Sequence, residues 1–134
     1  MQIIIFTIGD KYYGLNTEEV EEIIDETQSK KVPNSPDWVE GLINLRGSVV
    51  TTINLSKLLR QKEDLCYNNI IIINDNEEKI GLLIKDVVEV IDIDEKDIEQ
   101  IDMEAEDAII GILRVNDRLV NIIDINILFS KNEG

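Results

Sequence analysis

Carboxylates are the most numerous side chains in this sequence that could do chemistry. The 134 residues include 28 aspartates and glutamates but no histidine. The usual general base near neutral pH is therefore missing, and so is the commonest transition-metal ligand. A pair of carboxylates could still perform acid–base catalysis, but no particular pair stands out among so many. We expect most of them to form a solvated surface, and the sequence predicts no catalytic site.

One segment resembles the start of a calcium-binding loop. Residues 92–97 have the sequence DIDEKD. The fifth position is Lys96 and the sixth is Asp97, where an EF-hand loop needs an oxygen ligand and a glycine, so the match fails. Cys66 is the only cysteine, which excludes a disulfide within the chain and a site built from several thiolates. We therefore expect no metal and no cofactor.

Arg46 is the residue whose position most suggests binding. It lies in a predicted tight turn immediately before Gly47, in a chain with only 13 basic residues. A glycine suits the positive backbone angle that such a turn often needs, and the arginine would then project outward. A guanidinium held on a rigid turn is well suited to bind carboxylates or backbone carbonyls of a partner. A solubilising turn residue remains the alternative, and spacing and composition do not decide between the two.

Short strands joined by tight turns must position Arg46. An apolar run over residues 3–8 is followed by the turn residues Gly9-Asp10-Lys11 and a return strand through Gly14-Leu15. A second hairpin runs from residues 41–45 through Arg46-Gly47-Ser48 into residues 49–53. Asn54 then precedes a short helical segment as a candidate N-cap. Pro33 and Pro36 bound an irregular stretch that a central strand could not cross.

This arrangement occurs twice in the chain. The second copy has hairpins over residues 70–84 and 109–123, and Asp124 is its candidate helix cap. The offset between the copies is 67 at first and 70 after three extra residues. It aligns glycines and apolar residues, as in the pairs Gly14 and Gly81, Val20 and Val87, Gly41 and Gly111, Leu58 and Leu128. Two copies of four or five short strands suggest two small barrels, because closure removes exposed sheet edges.

Composition and charge limit the class of protein. A chain of 134 residues with 43% hydrophobic and 4% aromatic residues has a core of Ile, Leu and Val, which favours strands. Its formal charge of −15 disfavours nucleic acid and anionic membrane surfaces as partners. The first apolar run is too short for a signal peptide or a membrane span, so we expect a cytoplasmic protein. The acidic residues 92–107 are expected at the surface of the second copy.

The sequence closely resembles the CheW family of chemotaxis adaptors. The resemblance rests on the Val-Pro pair at residues 32–33, the segment VEGLINLRG at residues 39–47, and residues 49–55. It continues through IGLLI at residues 80–84 to the last hairpin and covers nearly the whole chain. Two positions differ from the family pattern. Thr51 stands where proline is usual, and Lys85 stands where aspartate is usual, which puts in doubt any contact inferred there.

The resemblance implies a fold and a role. The fold is all-β, with two tandem SH3-like five-stranded barrels in one CheW-like domain over residues 1–134. Its approximate subdomains are residues 1–66 and 67–134, and the chain can cross between the barrels. The role is that of a non-catalytic adaptor that binds the regulatory domain of the histidine kinase CheA and the cytoplasmic tip of methyl-accepting chemoreceptors. It involves neither nucleic acid nor insertion into a membrane.

The resemblance also implies binding residues. Thr17, Val20 and Ile23 recur every three residues, so a short helical turn would place them on one side. Val87 is the second-copy partner of Val20, and Ile4 lies on the neighbouring strand. These five positions are the predicted receptor contacts, in an apolar groove between the two barrels, although aliphatic residues of small barrels are as often core residues. The predicted kinase or receptor interface consists of Arg46, Gly47 and Glu40.

Three other functions remain open at this point. The nearest is a CheW-like module from a CheV protein or from the regulatory region of CheA. The absence of a receiver or kinase segment in 134 residues favours a free-standing adaptor. An SH3-like module of other specificity is more distant, because the charge opposes nucleic acid and no aromatic cage is evident. An enzyme of unknown type is the last.

Overall fold

The computed structural model describes residues 1–60, 67–101 and 108–132, so Cys66 and residues 102–107 of the acidic stretch lie outside the described residues. The described residues form short strands and two short α-helices. The strands are β1 (Gln2–Ile8), β2 (Lys11–Asn16), β3 (Val20–Asp25), β4 (Val39–Leu45), β5 (Ser48–Asn54), β6 (Asn69–Asp75), β7 (Glu78–Ile84), β8 (Asp86–Asp92), β9 (Glu99–Gln100), β10 (Ile109–Val115) and β11 (Arg118–Ile123). The helices are α1 (Leu55–Leu58) and α2 (Ile125–Asn132).

The chain forms two compact units, each with one sheet. The first unit consists of residues 1–19 and 87–134, and the second of residues 20–86. The first sheet has the strand order β8-β1-β2-β11-β10-β9, and the second has the order β3-β6-β7-β5-β4. The predicted all-β class is confirmed. The first sheet has six strands, not five, because the two-residue strand β9 pairs with β10. The corresponding pairing in the second unit is a single bridge between Lys30 and Leu42.

The two copies of the repeat exchange hairpins, so each compact unit contains strands from both copies. The hairpin β1–β2 of the first copy joins β8, β10 and β11 of the second copy. Reciprocally, the hairpin β6–β7 joins β3, β4 and β5. The exchange depends on two parallel pairs, β2 with β11 and β5 with β7, which no tight hairpin could make. The approximate boundary after residue 66 therefore separates the copies of the repeat and not the compact units.

The pattern of buried and exposed residues is the same in corresponding parts of the two copies of the repeat. Residues 41–50 and 111–120 have the same succession of buried, half-buried and exposed positions. Gly41 and Gly111, which the repeat aligns, both lie against a neighbouring segment. At Gly41, where φ is +154°, an added Cβ would lie 2.7 Å from the carbonyl carbon of Lys30. At Gly111 it would lie 2.5 Å from Cγ2 of Ile98. Both positions therefore require glycine because a side chain has no room.

Each unit has its own apolar core, and each core contains residues from both copies. A cluster in the core of the first unit contains Ile3, Ile5, Leu113, Val120 and Ile122. A cluster in the core of the second unit contains Ile43, Val50, Ile70, Ile72 and Leu83. The repeat aligns Ile3 with Ile70 and Val120 with Val50. Equivalent positions therefore build both cores, although the copies have exchanged partners.

The predicted hairpins and helix caps are present. The β4–β5 turn and the β10–β11 turn each have two residues with positive φ: Arg46 (50°) and Gly47 (87°), and Asn116 (48°) and Asp117 (66°). The β6–β7 turn contains fewer residues than predicted, because Asn74, Asp75 and Glu78 belong to the strands. Two short side chains cap the helices. Asn54 Oδ1 accepts a hydrogen bond from Lys57 N at 3.2 Å, and Asp124 Oδ1 accepts one from Ile127 N at 3.0 Å.

Candidate functional site

The β4–β5 hairpin projects Arg46 outward, as the sequence predicts. Leu45 pairs with Ser48, so Arg46 and Gly47 alone form the turn. Positive φ at both turn residues matches the right-handed twist of the flanking strands. The turn is fixed further by Asn44, whose Oδ1 accepts a hydrogen bond from Gly47 N at 2.9 Å. The side chain of Arg46 is 67% exposed and is therefore accessible to a partner.

Arg46 also forms an ion pair that the sequence does not reveal. Its guanidinium donates to Oε1 of Glu22 on β3. The strands β3 and β4 are the two outermost strands of the second sheet. The ion pair therefore links β3 to the turn that follows β4. Because both side chains are partly exposed, such a pair contributes about 0–1 kcal/mol to stability. Arg46 can therefore support the barrel weakly and still bind a partner.

Glu40 belongs to a buried polar network next to helix α1. Its Oε1 accepts a hydrogen bond from Asn54 Nδ2 at 3.3 Å, and Nδ2 also donates to the hydroxyl oxygen of Tyr67 at 2.5 Å. Oδ1 of Asn54 accepts from Ser56 Oγ at 2.6 Å as well as from the helix. Asn54 and Ser56 are fully buried. The predicted interface residue Glu40 is half-buried, and in this structure it satisfies a buried amide.

The predicted receptor contacts lie on one 3-10 turn and on the three strands β1, β3 and β8. Thr17 is in a single 3-10 turn, Thr17–Glu19, and its Oγ1 donates to the Gln2 carbonyl oxygen at 3.3 Å. Val20 and Ile23 lie on strand β3, so the prediction that one helical turn carries all three residues is wrong. The reason is that residues 20–25 pair with β6, and this ladder replaces the helical hydrogen bonds. Val87 is half-buried on β8.

Ile4 is placed differently from the prediction. It is 1% exposed, and its neighbours Ile3 and Ile5 on β1 are buried as well. It therefore belongs to the interior of the structure and offers no surface to a partner. The sequence could not show this, because a strand that is buried on both faces has no alternation to separate interior from surface residues. The predicted groove itself stays a prediction.

Strand β3 presents an accessible apolar edge. Among the described strands it pairs with β6 alone, and its residues alternate between half-buried and exposed. Ile23 is 39% exposed, whereas Ile24 packs against the core of the second unit. A β-bulge interrupts the pairing between Val20 and Glu22. Val20 and Ile23 are therefore two aliphatic residues on a sheet end, where a partner could contact them.

The two positions that depart from the family pattern have different surroundings. Thr51 pairs with Leu42 on one side and Ile80 on the other, within β5. A strand with neighbours on both sides disfavours proline, so threonine suits this place. Lys85 lies between β7 and β8, and its carbonyl oxygen accepts a hydrogen bond from Asn68 N at 3.0 Å. Nothing in the structure explains why lysine stands at this position.

The residues that resemble a calcium loop cap a turn instead. Asp94 Oδ1 accepts a hydrogen bond from Lys96 N at 3.0 Å, and Asp97 Oδ2 accepts one from Asp94 N at 3.4 Å. The described residues contain no group of three His, Cys, Asp or Glu side chains placed to hold a metal ion. Neither of the two helices in the described ranges is long and apolar enough to span a membrane.

Glu19 has an unfavourable environment for its charge. Burial raises the pKa of Glu19 above its ordinary value of 4.5, and the nearby carboxylates of Asp124 and Glu18 raise it further. The folded state therefore holds the Glu19 proton more tightly than the unfolded state. The resulting stabilisation is complete below the unfolded pKa, and it is lost as the pH rises through the raised pKa.

We therefore expect Glu19→Gln to raise the melting temperature near neutral pH, because the neutral amide removes this penalty. The gain should shrink as the pH falls towards 4.5, since wild-type Glu19 then becomes neutral as well. Thermal melts at both pH values measure the effect, with the exposed Glu78→Gln as the matched control. An equal gain at both pH values would show that charge is not the cause.

Comparisons with known proteins agree with one another. The family model described as CheW-like domain matches residues 2–133. The chemotaxis protein CheW of Treponema pallidum is 28% identical, over 98% of this chain and 84% of its own length. The probable chemotaxis protein CheW of Rhizobium etli is 32% identical, over 99% of this chain and 90% of its own length. The crystal structure of the scaffolding protein TtCheW from Thermoanaerobacter tengcongensis has a TM-score of 0.87 at 32% identity, and covers 96% of this chain and 86% of that chain.

Proposed function

The chain belongs to the family of CheW-like domains and is a chemotaxis adaptor, and we propose that it joins the cytoplasmic tip of chemoreceptors to the regulatory domain of the histidine kinase CheA. The proposed role is non-catalytic and cytoplasmic, and it requires no cofactor. All of residues 1–134 would act as one CheW-like domain, which contains the two compact units described above. An adaptor of this kind needs two binding surfaces.

The observation that carries this proposal is the accessible arginine on the β4–β5 hairpin. The segment that resembles the family signature, residues 39–47, forms β4 and its turn. The turn presents Arg46 with 67% of its side chain exposed, while Glu22 orients the guanidinium from β3. An oriented arginine has donors left over for carboxylates or carbonyls of another protein. We assign Arg46 and Gly47 to the kinase or receptor interface, with Glu40 supporting β4 through Asn54.

The second surface in this proposal is the edge strand β3. Receptor tips are long helical hairpins, according to the family resemblance. A helix is bound through apolar anchors that it buries against a partner. Val20 and Ile23 supply two such anchors, and Thr17 and Val87 are the further proposed contacts. Ile4 is not among the direct contacts because it is 1% exposed.

Arg46→Glu is expected to weaken assembly with CheA and a receptor fragment about tenfold or more while the domain stays folded. The substitution reverses the only charge at the tip of the β4–β5 turn and places a carboxylate beside Glu22. Loss of the surface pair and the new repulsion cost about 1 kcal/mol. The melting temperature should therefore fall by only about 4 °C. Co-sedimentation of the purified components measures assembly, and a thermal melt measures stability.

Two further variants separate a partner contact from an internal role. Arg114→Glu makes the same charge change on the exposed face of the β10–β11 hairpin, and it should assemble normally. The swap Arg46→Glu with Glu22→Arg restores an internal ion pair but leaves the outward charge reversed. If the swap restores full assembly, or if Arg46→Glu alone unfolds the domain, Arg46 is structural and the proposed interface is wrong.

A further inference from the structure

Glu21 is bound by a pair of residues from two other strands. Its Oε1 accepts a hydrogen bond from Asn74 Nδ2 at 3.3 Å, and its Oε2 lies 3.3 Å from Lys79 Nζ. Asn74 on β6 and Lys79 on β7 are directly paired across their hairpin. The three side chains therefore form a ladder across β3, β6 and β7, which are adjacent in the sheet. We call this set the β3 clamp.

The β3 clamp lies where the backbone of β3 is held least. Val20 pairs with Ile73 and Glu22 pairs with Ile72, so Glu21 is the extra residue of the bulge. A bulge leaves its extra residue outside the ladder and bends the strand. Strand β3 is also an end of the sheet and has a ladder partner on one side only. Side-chain contacts must therefore supply much of the restraint at this point.

Glu22, the next residue, is held from the opposite direction. Its carboxylate pairs with Arg46 at the β4–β5 turn, whereas that of Glu21 pairs with Lys79. Each of the two carboxylates therefore has a cation of its own. The side chains of Glu21 and Glu22 are 35% and 30% exposed. The two pairs together fix the bulge between the strands on both sides.

The other copy of the repeat lacks such a clamp. At the offset of 67, Glu21 aligns with Val88, Lys79 with Tyr12, and Asn74 with Thr7. None of these three residues is charged. The clamp therefore does not belong to the common architecture of the two units. It restrains the strand that carries Val20 and Ile23.

We propose that Lys79 is a positioning residue which, through Glu21 and together with Asn74, fixes the bulge of β3 and so determines how Val20 and Ile23 are presented to a chemoreceptor. This inference rests on the proposed function, because it concerns the same receptor surface. Lys79 makes no contact with the receptor in this account. Its effect is exerted on the backbone of residues 20–23.

The test is Lys79→Met, which keeps an unbranched apolar side chain and removes the ammonium group. Affinity for a purified cytoplasmic fragment of a chemoreceptor should fall about fivefold, the ratio expected when a partly buried ion pair is lost. Amide hydrogen exchange at residues 21–23 should become about tenfold faster, because the bulge opens more often. Lys79→Arg should restore both values, since it can bind the same carboxylate. The control is Lys96→Met, which makes the same charge change in the other unit.

The two readouts distinguish this inference from the function on which it rests. If the wild-type chain does not bind the receptor fragment, the proposed function is wrong, and hydrogen exchange still decides whether Lys79 fixes the bulge. If Lys79→Met binds and exchanges like the wild type, Lys79 has no positioning role. Should Lys79→Met fail to fold, Glu21→Gln removes the same ion pair and retains an acceptor for Asn74. Wild-type affinity and exchange in that variant would overturn the proposal.

Discussion

Replacement of Gly41 by alanine should lower the melting temperature by roughly 10 °C, the largest loss of stability that we expect from a single methyl group here. An added Cβ would collide with the carbonyl group of Lys30, whose carbon lies 2.7 Å away. Lys30 and Leu42 exchange two backbone hydrogen bonds of 2.8 Å at this place. The new methyl group must separate them, and φ of +154° is unfavourable for alanine. The combined cost is about 3 kcal/mol.

Gly47→Ala is the matched control for this prediction. Gly47 also has a positive φ, of +87°, but an added Cβ there has no atom within 4 Å. Alanine at this position therefore lowers the stability only through its unfavourable backbone conformation, by about 1 kcal/mol. Thermal or urea unfolding of both variants gives the comparison. Equal losses for Gly41→Ala and Gly47→Ala would mean that the contact with Lys30 does not constrain β4.

Val20→Lys is expected to abolish measurable receptor binding, with a loss of about 100-fold or more, while the chain stays folded and still binds CheA. Val20 is half-buried at the bulge of an edge strand, so a lysine can extend its ammonium group into water. A bound receptor helix would cover this position. The variant would then bury an unpaired charge in an apolar contact, which is costly. Titration with a receptor fragment and with CheA measures the two affinities separately.

Leu119→Lys provides the control for Val20→Lys. Leu119 is 53% exposed on β11, and the substitution adds the same charge to an aliphatic position of the other unit. We expect it to bind both partners normally. A folded Val20→Lys protein that binds the receptor at wild-type strength would remove β3 from the receptor surface. An unfolded one would assign Val20 to the core.

Local chemistry allowed much of the fold to be predicted from the sequence. Tight turns such as Arg46-Gly47 and Asn116-Asp117 depend on residues that tolerate positive φ, and these are visible in the chain. The caps Asn54 and Asp124 depend on a short polar side chain before an apolar segment, which is equally local. The repeat could be aligned because glycines such as Gly41 and Gly111 are required by close approach in both copies.

The exchange of strands between copies could not be predicted in the same way. Because β1 and β6 occupy equivalent positions, either could complete either sheet, and the pattern of apolar residues fits both choices. The outcome depends on pairing between distant segments, such as the parallel contact between β2 and β11. Such pairing has no local signal. The division at residue 66 therefore followed the repeat and not the compact units.

Within the candidate site, only the placement of the exposed turn residue Arg46 could be predicted from the sequence. The outward direction of Arg46 followed from turn chemistry, but its partner Glu22 did not, because 28 acidic residues offered too many candidates. Lys79 and Glu21 are 58 residues apart in the chain and meet through the β3-β6-β7 order of the sheet. Ile4 was misplaced because both faces of β1 are buried, which removes the alternation that identifies a surface residue.

The central claim is that this chain links receptor and kinase, and co-sedimentation tests it most directly. Membranes that contain a chemoreceptor of the same organism are mixed with CheA, with and without the purified chain. We expect CheA to sediment with the membranes only when the chain is present, and Arg46→Glu to reduce the amount that sediments. If the chain leaves the sedimented CheA unchanged and does not itself bind to either partner, the proposed function is contradicted.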